Sequence, residues 1–465
     1  MAEKSINFGF DIVLGKHIIH NVTSIEDLFL GIKDLYTDKF WNNPSHYKSN
    51  LNKIITRDLF IYANSYIDNG YKFNRDSIKN FDKYIYPIKL SADLENLTGL
   101  HAGLLGSQAV GQPFWKKLSF DVLKDLRNRK ALLLLDYTME CFFKPKHHES
   151  LQVVLRQAKI PFESVMLLIN GVNSAENYHE MFLHNKPLHQ KKYYKIRDIA
   201  FTLEHSSYHY SYGLEKNVNT CLTTDKFLES KSIIRNDKFL MHCKGPKPHR
   251  LDILEFLYQN KYHKEGNYSL LINNSELYTL RAKKGNSQEI RYPNLFKIEK
   301  VPINLKQETY QPTDINAWDN SAWDSNAPNV ENPQPYLDSY FNICLETNND
   351  FATLTEKIFK PIINFQPFIL VTGSGGLKQL KDWGFKTFDG FIDESYDTIK
   401  DPIQRKELIQ TEIKKLCEMN ISDLHEWYWK MEDILIHNHN HLINFKDTDN
   451  LPSKKIFEEL YEFTK

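Results

Sequence analysis

The chain has 465 residues, with 59 basic and 59 acidic side chains and no net charge at pH 7. Binding along a phosphate backbone draws on a basic excess, so nucleic acid is not expected as the main partner. No apolar run reaches the roughly 18 residues that suggest a membrane-spanning helix. The N-terminal MAEKSINFGFDIVLGKHIIH lacks the basic stretch and continuous apolar segment of a secretion signal. Hydrophobic residues make up 41%, with 29 Phe, 25 Tyr and 7 Trp, enough for the cores of two or three domains. Cys141, Cys221, Cys243, Cys344 and Cys417 are scattered, odd in number and form no CxxC pair. They read as reduced thiols of a cytoplasmic protein.

Residues 1–120 mix helical and extended patterns and resist assignment. Lys130–Asp136 (KALLLLD) is a continuous apolar run ended by polar residues, predicting a buried strand. Leu151–Ala158 predicts a helix and Val165–Asn170 (VMLLIN) a second strand, followed by the loop GVNSAENYHE. Ile199–Leu203 is a candidate third strand. Strands alternating with helices predict βαβ units and a parallel sheet, so residues 1–232 read as one α/β domain.

A second α/β series, 233–402, begins with a strand at Lys238–His242. A helix follows from Arg250, with Leu251, Leu254, Leu257 and Tyr258 along its apolar face. Asn304–Pro335 is rich in Asn, Asp, Pro and Gln and repeats Ala-Trp-Asp around Trp318 and Trp323. Two Trp in a polar loop could stack on a sugar ring, or they could pin the loop to the core. FNICLETN then predicts a strand. Thr355 is a candidate N-cap, with Glu356 and Lys357 in the first helical turn. Pro361 is five residues beyond Glu356, and a proline that deep breaks or kinks a helix. The helix is therefore expected to begin near Lys360, or Thr355–Lys360 to be a separate turn, which makes Lys360 a second candidate cation. A strand at Phe368–Thr372 leads to Gly373-Ser374-Gly375-Gly376. A backbone without Cβ atoms can approach a ligand closely there. The helix predicted from Leu377 to Gly384 would turn its N-terminal amides toward an anion. After Asp401 the pattern is helical over 402–419, 422–445 and 454–464, and residues 403–465 are expected to pack back on the body.

FNICLETN followed by TEK and QPFILVTG resembles the donor-binding motif of the α1,3-fucosyltransferase class of sugar transferases. KFLMHCKGPKPHRLDILEFLYQN, upstream, is similar to the strand, loop and helix by which that class holds a diphosphate. The pattern from PHR to GFKTFDGFIDESYD also resembles glycosyltransferase-like proteins of phages and large viruses. The resemblance covers about residues 236–400. It implies two Rossmann-like domains facing a cleft, the GT-B glycosyltransferase architecture, with C-terminal helices. It implies a nucleotide-diphosphate sugar as donor, a GDP-sugar favoured, and no tightly bound cofactor. It places the ribose on Glu356, the phosphates on Lys357 and Arg250, and matches Glu346 to the acidic residue after the first strand. The partners would be the nucleotide sugar and a glycan or other hydroxyl acceptor. Apart from any family, the planar guanidinium of Arg250 suits phosphate oxygens, and Lys244 and Lys247 add charge nearby.

Inverting sugar transfer needs a base near the acceptor hydroxyl. Glu140, four residues past Asp136 at the end of the KALLLLD strand, is the preferred candidate. Asp136 could instead cap the following turn, and Glu176 and Glu204 are alternatives. A metal is not required, because Arg and Lys can offset the charge of a departing diphosphate. Asp447-Thr448-Asp449 has metal-site spacing but lies between two predicted helices, where capping explains it. Of His437, His439 and His441, the first and last share a helical face and the middle one does not, which is a poor ligand set for zinc. His147-His148 and the His205/His209 pair read as solvated or core residues. The alternative function is a carbohydrate-binding or scaffold protein of phage or viral type that keeps the fold without turnover. A third possibility, sugar transfer onto nucleic acid, would need a basic groove to which Lys116–Lys130 could contribute.

Overall fold

The computed structural model describes residues 4–10, 71–89, 118–137, 145–169, 194–198, 222–243, 247–268, 334–349, 351–443 and 452–465. They divide into two compact units. One holds the described residues up to 198 together with 452–465, and the other holds 222–443. The candidate strand Ile199–Leu203, the Trp318/Trp323 loop, Asp447–Asp449 and the His205/His209 pair lie outside the described residues.

The first unit is built on β1 (Lys4–Phe10), β2 (Tyr71–Ser77), β3 (Tyr84–Lys89), β4 (Ala131–Tyr137), β5 (Val165–Ile169) and β6 (Lys195–Asp198). The order is β2-β1-β3-β4-β5-β6 and every pairing is parallel. A parallel sheet covered on both faces needs apolar residues at successive positions, and β4 and β5 supply them. Leu133 and Leu135 join Val165, Leu167, Tyr84 and Tyr86 in one core, against α1 (Phe120–Arg127) and α2 (Pro145–Gln157). Leu132 and Leu134 join Met166, Leu168, Ile6 and Phe8 in the other. That second face is covered by the C-terminal helix Pro452–Thr464, through Ile456, Phe457 and Leu460. Its Glu459 also receives Lys195 and Arg197 of β6, each at 2.8 Å. Leu134 is fully buried in a central strand, so Leu134→Ala is expected to cost about 2–5 kcal/mol. β1 to β3 had no long apolar run to announce them. In β1 the signal is the period-2 placing of Ile6 and Phe8, both fully buried.

The second unit begins with α3 (Thr224–Glu229), β7 (Asp237–Met241), α4 (Pro248–Gln259) and the short β8 (Asn267–Tyr268). It continues with α5 (Gln334–Asp338), β9 (Ser339–Leu345), α6 (Glu356–Ile363), β10 (Phe368–Val371) and α7 (Gly376–Asp382). The sheet order is β10-β9-β7-β8, again parallel throughout. All seven residues of β9 and all four of β10 are buried.

Two helix expectations change. The span 422–445 is not one helix: α8 (Pro402–Glu418) is followed by α9 (Ile421–Trp429) and α10 (Glu432–Ile443). Trp427, Tyr428 and Met431 are all buried. They lie within about 100° of one helical face, so the turn at Lys430–Met431 keeps a common buried side. The helix carrying Pro361 does begin at Glu356, because the Thr355 hydroxyl caps it by accepting the Lys357 amide. Pro361 lacks one amide bond, and the helix ends two residues later at Ile363.

Candidate functional site

In the second sheet the chain leaves β7 for its neighbour β8 on one side, then returns to β9 on the other and moves outward to β10. The direction of winding therefore reverses between β7 and β9. The carboxyl ends of such neighbouring strands are where open α/β sheets bind ligands. Cys243, Lys247, His249 and Arg250 follow the end of β7, and Glu346, Thr347, Thr355 and Lys357 follow the end of β9.

Glu346 is at the centre of this group. It is fully buried. Its carboxylate accepts the Thr355 amide at 2.9 Å and the Thr355 hydroxyl at 2.7 Å. The Thr355 hydroxyl oxygen in turn accepts the Lys357 ammonium at 3.0 Å. On the main-chain side, the Glu346 carbonyl accepts Arg250 Nη2 at 3.1 Å and Nε at 3.4 Å. His249 Nε2 reaches the same carbonyl at 2.9 Å and therefore carries the proton there. Lys247 Nζ donates to the neighbouring carbonyl of Thr347 at 2.9 Å. Arg250 and Lys357, 107 positions apart in sequence, are thus linked through one residue, Arg250 by the Glu346 carbonyl and Lys357 by the Thr355 hydroxyl that bonds its carboxylate.

The electrostatics of this group follow from burial and from its cations. Burial pushes the His249 imidazole down to about 4, against the hydrogen bond to the Glu346 carbonyl; Arg250 and Lys247 push it further down. His249 is neutral at pH 7 and serves as a fixed donor rather than a charge. Burial pushes the Cys243 thiol up to about 12, although Arg250 draws it the other way. Cys243 therefore stays a thiol. The positive charge of the group rests on Lys247, Arg250 and Lys357.

The remaining sequence candidates are placed differently. Lys360 is 6% exposed, on the last turn of α6, about 7–8 Å of helix rise beyond the Thr355 cap. Glu356 opens α6, and its side chain lies outside the described residues. So do the Asp136 side chain, Lys244, Glu140, Glu176 and Glu204. A Cβ on Gly373 would lie 2.1 Å from the Phe351 carbonyl carbon and 2.3 Å from the Ala352 nitrogen. Glycine there allows the β10 turn to pass against the 351–352 backbone. Gly375 has φ +90°, the left-handed conformation that favours glycine, and its added Cβ would meet open space. The anion at the start of α7 is internal. Asp397 accepts the amides of Leu377 and Lys378, both at 3.0 Å, so the expected phosphate cradle is already filled by a carboxylate.

The histidine tract of α10 has a structural role. His437 and His441 stack at 5.7 Å and turn their Nε2 atoms to the carbonyls of Gly384 and Trp383, just past the end of α7. His439 turns Nδ1 to the carbonyl of Ile363 at the end of α6 and stacks on Phe365 at 3.9 Å. Asn438 makes a paired bond with the Lys386 backbone, both at 2.8 Å. The bonds to Ile363 and Trp383 satisfy carbonyls at two helix ends, and those to Gly384 and Lys386 tie the chain after α7 to α10. Buried His148 meets the Tyr194 hydroxyl through Nδ1 at 2.7 Å, a core pair of the first unit.

Sequence reasoning missed His249 and Asp397. His249 was visible in the PHR triplet, next to the residue singled out. Asp397 acts across 20 positions, and no local pattern reports such a contact.

Among the described residues, no helix is long and apolar enough to cross a membrane. No protein-family model matches the chain, and no curated protein matches it in sequence. Among solved structures the chain is similar to one described as "OtsA apo structure", at 10% identity, over 84% of this chain and 87% of that one, with a TM-score of 0.32. A likeness this loose leaves the function to be read from the site itself.

Proposed function

We propose that the chain is a nucleotide-sugar-dependent glycosyltransferase and that its second unit binds the donor at the carboxyl ends of β7 and β9. The observation that carries this reading is the meeting of Arg250 and Lys357 around Glu346 at the point where the sheet reverses its winding. Two cations held at fixed places suit a diphosphate, whose charge grows as the sugar leaves. Lys247 adds a third cation from the β7 side. Glu356, at the first position of α6, would accept the ribose hydroxyls, and the resemblance in sequence favours a GDP-sugar. Gly373 and Gly375 take packing and turn roles in this reading, and Lys360 a supporting one.

In the proposed reaction a carboxylate removes the acceptor hydroxyl proton and the sugar transfers with inversion. Glu140 is the candidate. Arg250 and Lys357 would stabilise the leaving diphosphate, so the reading calls for no metal. The acceptor would be a glycan or another hydroxyl compound.

A thermal-shift screen against nucleoside diphosphates tests the donor site. Ligand at a hundred times its dissociation constant should raise stability by about 2.7 kcal/mol. Absence of a shift with every nucleoside diphosphate would sink the proposal. A shift without transfer or hydrolysis of any nucleotide sugar would leave the binding-protein reading in its place. If transfer is found, Glu140→Gln should lower turnover by about 10²–10⁴-fold with donor binding intact.

A further inference from the structure

Lys357 does not stand alone at the start of α6. Its ammonium and its amide both donate to the Thr355 hydroxyl oxygen, at 3.0 and 3.4 Å. A hydroxyl has one hydrogen and two lone pairs. Here the hydrogen is committed to Glu346 Oε2 at 2.7 Å, so the lone pairs face Lys357. The carboxylate polarises the hydroxyl toward the cation, and its other oxygen fixes the Thr355 amide at 2.9 Å. Hydrogen bonds to an ionised carboxylate are shorter and stronger than neutral ones, and burial strengthens them further.

We propose that Glu346 is the positioning residue of the cationic site. Through the Thr355 hydroxyl it sets where the Lys357 ammonium sits, and through its own carbonyl it sets the Arg250 guanidinium. The inference rests on the donor-site reading for its ligand, but its geometry stands apart from any ligand. Being fully buried, the Glu346 carboxylate acts on the phosphates through Thr355 and Lys357. Replacing it with Gln changes the polarity of the relay. The Gln amide would donate into the Thr355 oxygen, where Lys357 already donates, and the lysine would lose its place.

The test uses Glu346→Gln, Thr355→Val, Thr355→Ser and Lys357→Ala in the full chain, with GDP and inorganic pyrophosphate as probes in calorimetric titration. Glu346→Gln and Thr355→Val should each weaken both probes about tenfold, the scale of one hydrogen bond to a charged group. Thr355→Ser keeps the hydroxyl and should restore most of the affinity. Lys357→Ala added to Thr355→Val should give little further loss, since both act on the same contact. Serine would also rescue a purely structural cap, so the non-additivity with Lys357→Ala is the readout that separates positioning from capping. Thr355→Val binding like wild type would overturn the proposal, as would a full additional loss from Lys357→Ala. If Glu346→Gln does not fold, the Thr355 pair still decides.

If the wild-type chain binds neither probe, the donor-site reading fails, and amide exchange of the ligand-free protein decides the positioning role. Glu346→Gln, or Thr355→Val in its place, should then speed exchange at Thr355 and Lys357 by about tenfold. The Phe368–Val371 strand amides should remain protected. Unchanged exchange at Thr355 and Lys357 would overturn the role.

Discussion

The Asp397 carboxylate accepts the main-chain N–H of Leu377 through one oxygen and that of Lys378 through the other, each at 3.0 Å. The main-chain carbonyl of Asp397 also accepts the Gly375 amide at 2.8 Å. One residue therefore closes the glycine turn and caps the helix behind it. Asp397→Ala should destabilise the chain by about 1–2 kcal/mol, the usual cost of a lost N-cap. Urea unfolding measures the loss. The same substitution should hardly change nucleoside-diphosphate affinity. A large drop in affinity would return the ligand to this turn.

Arg250 of α4 bonds the Glu346 carbonyl, and Lys357 of α6 reaches the Glu346 carboxylate through the Thr355 hydroxyl. Each alanine substitution should weaken nucleoside-diphosphate binding by about 1.5–3 kcal/mol, roughly 10- to 100-fold in Kd. Titration of GDP into the two variants checks this. Wild-type affinity in either one would remove that side chain from the phosphate contacts.

Some of this arrangement was legible in sequence. The strands that could be read, β4, β5, β7, β9 and β10, are rich in apolar residues at successive positions, because burial on both faces writes itself into the sequence. The Thr355 cap was legible because capping is local. Two other features were not. The break at Lys430–Met431 carries no local signal, since no Gly or Pro marks it and Leu424, Trp427, Tyr428, Met431 and Leu435 keep helical spacing across it. The charge at the start of α7 comes from Asp397, which the fold brings back across 20 residues. The GSGG turn reads the same whether its helix start faces a ligand or an internal carboxylate. Only the path of the downstream chain decides between them.

His249 and His439 should make the fold acid-sensitive in a defined window. Burial holds both imidazoles near 4 in the folded chain, against about 6.5 when unfolded. Between those values the unfolded chain binds more protons, so stability falls as pH drops from 6.5 toward 4 and is flat above. Glu459 behaves differently. Burial raises its carboxyl, but hydrogen bonds from Lys195 and Arg197 outweigh this and leave it below its ordinary value. Its contribution is therefore lost only at lower pH, below about 4.5. Ring resonances of His249 and His439 followed by NMR should show neutral imidazoles at pH 5. Titration of either near 6.5 would contradict the burial that the structure gives it.

Glu356 opens α6 one position before Lys357, and the proposed reading gives it the ribose rather than the phosphates. A carboxylate beside phosphate oxygens is repulsive, whereas it accepts well from two ribose hydroxyls. Glu356→Gln should therefore weaken a nucleoside diphosphate while hardly changing affinity for inorganic pyrophosphate. The loss should be about 1–3 kcal/mol, the scale of hydrogen bonds to a charged acceptor. Lys357→Ala should instead weaken both ligands, because its contact is with the phosphates they share. Parallel titrations of GDP and pyrophosphate into the two variants separate ribose from phosphate recognition. Equal losses for both ligands in Glu356→Gln would show that this carboxylate does not read the ribose.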